Sequence, residues 1–169
     1  MICITPATEK DLKTIEEIAR ITWPQTFGEI MPAEQIVYML DLMYTQTALL
    51  DQINLQKHQF VLLLYKGEAM GYTSYEINYR GIPQLMVHKI YVLPKAQGLG
   101  IGKKAFEYLH HMTQENEQDK ITLKVFYKNE AAIGFYEKEG FSVVGKETTA
   151  IGKGYRILDY IMEKQLSQL

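Results

Sequence analysis

The chain has 169 residues, of which 47% are hydrophobic and 22% charged, the balance of a globular domain and not of a disordered chain. Eighteen Lys and Arg oppose 20 Asp and Glu for a formal charge of −2, which argues against a protein that coats nucleic acid. One cysteine, Cys3, leaves no internal disulfide and no CxxC site, and points to a reducing, cytoplasmic setting.

No basic stretch followed by a long apolar stretch opens the sequence, so no signal peptide is expected. The most apolar run, Phe60 to Tyr65, is about a third of the ~20 residues a membrane-spanning helix needs. A soluble protein without a membrane partner is expected, forming one domain over 1–169.

Ile2 to Thr5 reads as a short strand, with Thr8 as N-cap of a helix carrying Leu12, Ile15, Ile18, Ala19 and Thr22 on one face. Trp23-Pro24 is expected to stop that helix. A second helix follows Pro32 with Ile36, Met39, Leu40 and Met43, and a third covers Ala48 to Leu55. The period then changes. Gln59 to Tyr65 and Met70 to Tyr79 read as a hairpin across Lys66-Gly67-Glu68, and Leu85 to Leu93 as a further strand. Ile101 to Glu117 has helical spacing, Lys120 to Tyr127 is a strand, and Asn129 caps a short helix that ends before Gly140. Phe141 to Thr148 and Tyr155 to Glu163 form a last antiparallel pair. The pattern predicts one α/β domain with a mixed, mostly antiparallel sheet of six or seven strands.

The most informative segment is Gln97-Gly98-Leu99-Gly100-Ile101-Gly102-Lys103-Lys104, between a strand and a helix. Such a loop presents consecutive backbone N–H groups at a helix N-terminus, which suits a pyrophosphate. A Walker A loop needs four residues between its glycines, whereas three separate Gly98 from Gly102, and Lys103 is followed by Lys104 instead of Ser or Thr. A dinucleotide fingerprint starting at Gly98 meets Lys103 where its last glycine belongs, and follows about the fourth strand instead of the first. The pattern Q/R-x-x-G-x-G/A is met by Gln97, Gly100 and Gly102. Downstream, Asn129 to Phe141 reads N-x-x-A-x-x-F-Y-x-x-x-G-F.

Together these two segments resemble the GNAT N-acetyltransferases, most sharply from Leu85 to Phe141. The resemblance implies the GNAT fold, acetyl-CoA as cosubstrate, no metal, and direct attack of an amine in a ternary complex. By the same resemblance, backbone groups of Ile90, Tyr91 and Val92 would pair with the pantetheine arm. The loop Gln97, Gly98, Leu99, Gly100, Ile101, Gly102 and Lys103 would hold the pyrophosphate. Asn129 matches a cofactor-contacting position, and N-capping explains it equally well. Tyr136 matches the tyrosine that protonates the departing thiolate, a role its phenol suits chemically. A strand N–H in Ile90 to Val92 would stabilise the oxyanion.

An alkylammonium has a pKa near ~10.4, so a base is needed at neutral pH. Many relatives place a glutamate where this sequence has His88; His88, Glu76 on the neighbouring strand, and water are the alternatives. His110 and His111 are adjacent on a helix and His58 has no partner at ligand spacing, so no metal site is expected.

The segment Trp23-Pro24-Gln25-Thr26-Phe27, read as a turn after the first helix, and Leu158 to Met162 resemble the branch of PaiA-type spermidine/spermine N-acetyltransferases. That implies a polyamine or other small amine, with Trp23, Phe27, Glu29 and Asp159 as acceptor-binding residues. Glu34, Asp41 and Glu76 are further candidate carboxylates and Tyr38 a further aromatic. Acceptors of other kinds (a protein amine, an aminoglycoside, an amino acid) and a non-catalytic acetyl-CoA-binding regulatory module are the alternatives. A homodimer through the last strands is compatible with their Tyr155, Tyr160 and Ile161.

Overall fold

The computed structural model describes residues 1–166; the last three positions of the expected 1–169 domain lie outside the described residues. Seven strands form one sheet: β1 (Ile2–Pro6), β2 (Gln59–Tyr65), β3 (Glu68–Glu76), β4 (Gln84–Val92), β5 (Lys120–Phe126), β6 (Ser142–Gly152) and β7 (Tyr155–Gln165), in the order β1-β2-β3-β4-β5-β7-β6. Only β4 and β5 are parallel neighbours. This is the mixed, mostly antiparallel α/β sheet that the sequence predicts.

The hairpins close on two-residue turns whose backbones need positive φ. Lys66-Gly67 (50° and 82°) joins β2 to β3, and Lys153-Gly154 (52° and 79°) joins β6 to β7. Both match the right-handed twist of the strands they connect. β3 ends at Glu76, three residues short of the expected Tyr79, because Asn78 turns to φ 55°. The Gln118 side chain fixes that turn: its Oε1 accepts from the Asn78 N–H at 2.8 Å and its Nε2 donates to Asn78 Oδ1 at 2.9 Å.

Helices α1 (Leu12–Phe27), α2 (Ala33–Met43) and α3 (Gln46–Leu55) pack Ile15, Trp23, Leu40, Tyr44 and Leu49 against Leu63 and Tyr72 of β2 and β3. On α4 (Ile101–Glu115), Phe106 and Leu109 bury against Leu85, Ile121, Leu123 and Met162, and Tyr136 of α5 (Glu130–Lys138) packs on that cluster.

Two helix boundaries differ from expectation. Thr8 caps a single 3₁₀ turn, with a reciprocal capping box to Asp11, before α1 begins. More consequentially, α1 does not stop at Trp23-Pro24 but runs through it to Phe27. The proline lies on the exposed side, so the carbonyl one turn back, on exposed Arg20, is open to water. Thr22, Trp23 and Phe27 are buried on the opposite side, and their burial offsets the lost helical hydrogen bond.

Candidate active site

The site is made where the central strands part. Pairing of β4 with β5 runs from Gln84↔Lys120 to Val87↔Leu123 and goes no further, although β4 continues to Val92 and β5 to Phe126. On its other edge β4 carries a bulge: Ser74 pairs with Lys89 and Tyr75 with Val87, leaving His88 as the extra residue. Splay and bulge fall together. Beyond them, a cavity of about 470 Å³ opens between the strands, lined by His88 to Val92, Leu123 to Phe126, Gln97, Asn129 and Tyr136.

This cavity reaches the glycine loop. A second hollow, lined by Gln97, Gly98, Gly100 to Lys103, Phe135 and Tyr136, shares Ile90, Val92, Gln97, Ala132 and Tyr136 with the first. Gly98 and Gly100 take φ of 83° and 82°, and a Cβ at either would meet only open space, so the requirement is conformational. Gly100 is the N-cap of α4 without a side-chain cap, which leaves the first N–H groups of that helix for an external acceptor. A pyrophosphate fits that donor set. A Cβ at Gly102 would make ordinary contact with the Phe135 ring at 3.4 Å, where α4 meets α5, so space there does not demand glycine. The Leu99 side chain is 43% exposed and does not line the hollow, while Ile101, which does, is itself a core residue.

Tyr136 is half-buried and lines both hollows. Burial pushes its phenol up to about 12, so it stays protonated and able to donate at neutral pH. Asn129 Oδ1 accepts from the Ala132 N–H at 3.2 Å as the α5 N-cap, and the residue lines the cavity.

The two candidate bases meet. His88 Nε2 lies 2.9 Å from Glu76 Oε1, each side chain 16% exposed. The His88 ring stacks on that of His58 with centroids 3.8 Å apart and planes 13° from parallel. The expectation that His58 stands without a partner is therefore corrected; strands β3 and β4, and His58 just before β2, bring three distant sequence positions together. His58, Glu76 and His88 hold a potential ligand atom each within 4.8 Å. The imidazoles lie face to face instead of edge-on around one point, and Lys89 places positive charge on both, so the arrangement disfavours a cation. Burial, first, and the charge of Lys89 lower His58 to about 4; burial, then His58, then Lys89 lower His88 to about 2.

A further cavity, of about 570 Å³, meets the first at Phe27, His88, Lys89, Tyr91, Lys124 and Phe126. Trp23, Met39, Met43, Tyr44, Gln52, His58, Tyr79 and Asp159 complete much of its wall. The structure thus brings Trp23, Phe27 and Asp159 into the wall of one cavity. Glu29 is exposed and outside this wall, because α1 continues through Pro24 and carries it beyond the cavity. Glu34, Asp41 and Tyr38 line a separate surface hollow with Lys153 and Tyr155. Gln25 and Thr26 face the strand cleft. Burial raises the Asp159 carboxyl to about 6.

Sequence reasoning missed Lys89, Tyr44, Gln52 and Lys124, whose positions depend on the bulge and on strand pairing. It also missed Gly71, where a Cβ would come 2.5 Å from the Tyr91 carbonyl oxygen. That residue lets β3 lie tightly on the part of β4 that borders the cleft.

Residues 13–141 match the acetyltransferase (GNAT) family. The chain is 27% identical over 168 residues to an uncharacterized N-acetyltransferase of the pepI 3′ region from Lactobacillus delbrueckii subsp. lactis, covering 96% of both. It is 29% identical to the 5-NmdU N-acetyltransferase of Pseudomonas phage PaMx11, over 76% of this chain and 89% of that one. In fold it is similar to the PaiA N-acetyltransferase of Thermoplasma acidophilum, solved with coenzyme A: TM-score 0.81, 24% identity, 98% of this chain and 99% of that one. No helix among the described residues is long and apolar enough to cross a membrane. The match over most of the chain and the cradle at the parted strands lead to one conclusion: the chain belongs to the GNAT family and is an acetyl-CoA-dependent N-acetyltransferase.

Proposed function

We propose that this enzyme acetylates the primary amine of a small molecule held in the Trp23–Asp159 cavity, by direct attack within a ternary complex. The observation that carries this reading is the meeting of two cavities at His88, Lys89, Tyr91 and Phe126, one of them continuous with the glycine loop. Acetyl-CoA supplies an acetyl group activated as a thioester. The N–H groups from Gly98 to Lys103 bind its pyrophosphate, and the unpaired edge of Ile90 to Val92 pairs with the pantetheine arm. Asn129 borders the same cleft.

The His88–Glu76 pair takes the proton of the incoming amine: burial keeps the imidazole neutral before the acceptor enters, and the Glu76 carboxylate, itself raised by burial, balances the charge as the proton arrives. Tyr136, protonated at neutral pH, donates to the departing sulfur. Trp23 and Phe27 give the acceptor an aromatic wall.

For a polyamine the carboxylate supply is thin. Of the five acids expected around the acceptor, Asp159 alone lines the cavity; Glu76 is engaged with His88, and Glu29, Glu34 and Asp41 lie elsewhere. The small-amine reading accommodates this better than a polycation does.

The test is release of CoA thiol from acetyl-CoA across spermidine, spermine, lysine, an aminoglycoside, amino acids and N-terminal peptides, with calorimetric acetyl-CoA binding alongside. Turnover of a small amine well above the peptides supports the reading. Acetyl-CoA binding without turnover on any amine removes it in favour of a regulatory module.

A further inference from the structure

Lys89 is a cation that the transfer chemistry above does not use. It is 8% exposed, and no carboxylate lies within ion-pair distance of it among the described residues. Its Nζ donates to Gln52 Oε1 at 2.7 Å and stands 5.7 Å and 5.5 Å from the ring centroids of Tyr44 and Phe60. An ammonium has three donors, so two are left without an acceptor. Burying a charge without a counter-charge costs several kcal/mol in general, and such a group is ordinarily paired or neutralised. Burial accordingly brings the Lys89 ammonium down to about 7.

The neighbours of Lys89 share its condition. His58 Nδ1 is buried without a hydrogen-bond partner, and Trp23 Nε1 and Tyr44 Oη are buried with no well-aligned partner beyond one another and the Tyr72 hydroxyl; Trp23, Tyr44 and His58 all line the same cavity. The Trp23 and Tyr44 rings lie 5.7 Å apart. One end of the cavity therefore holds an unpaired lysine, an indole N–H, a phenol and an imidazole, a set dominated by donors. Lys124, on the β5 wall, is already paired with Glu147. Glu76 faces the far side of this group through His88 and lies outside the cavity wall, and Asp159 comes from β7. The Lys89 ammonium, the indole N–H and the phenol O–H can all donate to an anion, whereas a polycation placed beside Lys89 would meet like charge.

We propose that the acceptor amine also carries an acidic group, a carboxylate or a phosphate, and that Lys89, with Trp23 and Tyr44, binds that group and makes Lys89 the specificity-determining residue of the acceptor cavity. This rests on the small-amine reading above and narrows it. The acetylated product keeps its acidic group, so the amine is masked and the anion retained.

The experiment compares paired acceptors on the full chain. γ-Aminobutyrate, β-alanine and lysine are set against butylamine, propylamine and cadaverine, and phosphoethanolamine against ethanolamine; the last pair distinguishes phosphate from carboxylate. The expected result is a kcat/KM at least about tenfold higher for an acidic amine than for its match without the acidic group, the worth of a charged hydrogen bond. Lys89→Met should bring that ratio close to one, mainly through KM. The ratio is internal to each protein, so a general loss of activity does not imitate it.

Preference for cadaverine or spermidine, or a ratio that survives Lys89→Met, overturns the proposal. A second measurement keeps it independent of turnover: the Lys89 Cε resonance is followed while acetyl-γ-aminobutyrate, a product analogue without a free amine, is titrated into the protein with CoA. A saturable shift, absent with N-butylacetamide, supports anion binding even where no amine is acetylated and the transfer reading falls. An unmoved resonance overturns it.

Discussion

His88 and Glu76, on adjacent strands, are joined by a hydrogen bond of 2.9 Å between Nε2 and Oε1. Two residues that compete as bases in the sequence are hydrogen-bonded partners in the fold. If this pair is the base proposed above, Nδ1 is the ring nitrogen left to accept the proton, and Glu76 offsets the charge that then arises. His88→Gln should lower kcat by about a hundredfold or more, the usual worth of general-base catalysis. Glu76→Gln should cause a smaller loss, and both should leave acetyl-CoA affinity close to that of the parent. Calorimetry and CoA-release kinetics read the two effects separately. Parental kcat in both variants would hand proton removal to water.

The stacked imidazoles also set how stability answers to acid. Both are lowered from 6.5, His58 to about 4 and His88 to about 2. Below pH 6.5 the unfolded chain takes up protons that the folded chain still refuses, so stability is lost as pH falls from 6.5 towards 4. Asp159 acts in the opposite sense. Its folded carboxyl protonates near pH 6 and its unfolded one near 3.8, so it favours the folded state as pH falls through that window. Replacing His58 removes one destabilising contribution and leaves Asp159 in place. His58→Gln should therefore lose less urea resistance than the parent between about pH 7 and about pH 5. An equal or larger loss would show that the His58 ring is solvated in the folded protein.

Legibility in the sequence followed the range of the interactions. β2 is read to the residue because Phe60 to Leu64 is a continuous apolar run closed by Lys66-Gly67, a local signal. The glycine loop and the α5 cap at Asn129 are equally local, and the candidate cofactor side of the site was legible through them. The acceptor side was not. Glu29 is carried out of the cavity by one more turn of α1, and Lys89 and His88 owe their placement to a bulge that no periodicity announces. The His58–His88 stack and the buried Lys89, which has no carboxylate partner among the described residues, depend on pairing across three strands.

The length of α1 itself can be tested. A proline in a helix interior forfeits a hydrogen bond and crowds the preceding turn, at a cost of ~3 kcal/mol when nothing relieves it. Here the helix continues past Pro24 to Phe27, whose ring lies 4.7 Å from that of Trp23. Pro24→Ala should therefore raise the thermal midpoint by several degrees, about 2–4 °C per kcal/mol recovered in a chain of this size. A lowered midpoint would mean that the proline sets the angle at which Trp23 and Phe27 enter the core.

Gly71 tests the packing behind the cleft. It pairs with Val92, and an added Cβ would lie 2.5 Å from the Tyr91 carbonyl oxygen and 3.2 Å from the Val92 Cα, both backbone atoms. Backbone cannot swing aside as a side chain does, so β3 and β4 must move apart. Gly71→Ala should lower stability by ~1–3 kcal/mol, the cost of overpacking, and weaken acetyl-CoA binding by displacing Tyr91 and Val92. Urea unfolding and calorimetry check the two losses; unchanged cofactor affinity would separate this edge of β4 from the cleft.

Tyr136 gives the sharpest division between binding and chemistry. Its ring packs edge-on to Phe106 at 5.9 Å and to Phe141 at 6.1 Å, contacts that phenylalanine keeps. Its hydroxyl has no hydrogen-bond partner among the described residues and borders the hollows that meet behind the parted strands. Tyr136→Phe therefore removes one donor and leaves the packing. If that donor protonates the departing sulfur, kcat should fall by about tenfold to a thousandfold while acetyl-CoA affinity and thermal midpoint stay near the parent values. The loss should also shrink with an acetyl thioester whose thiol is more acidic, because a better leaving group needs less help. A kcat that is unchanged, or a loss that is the same for both thioesters, would assign Tyr136 to packing alone.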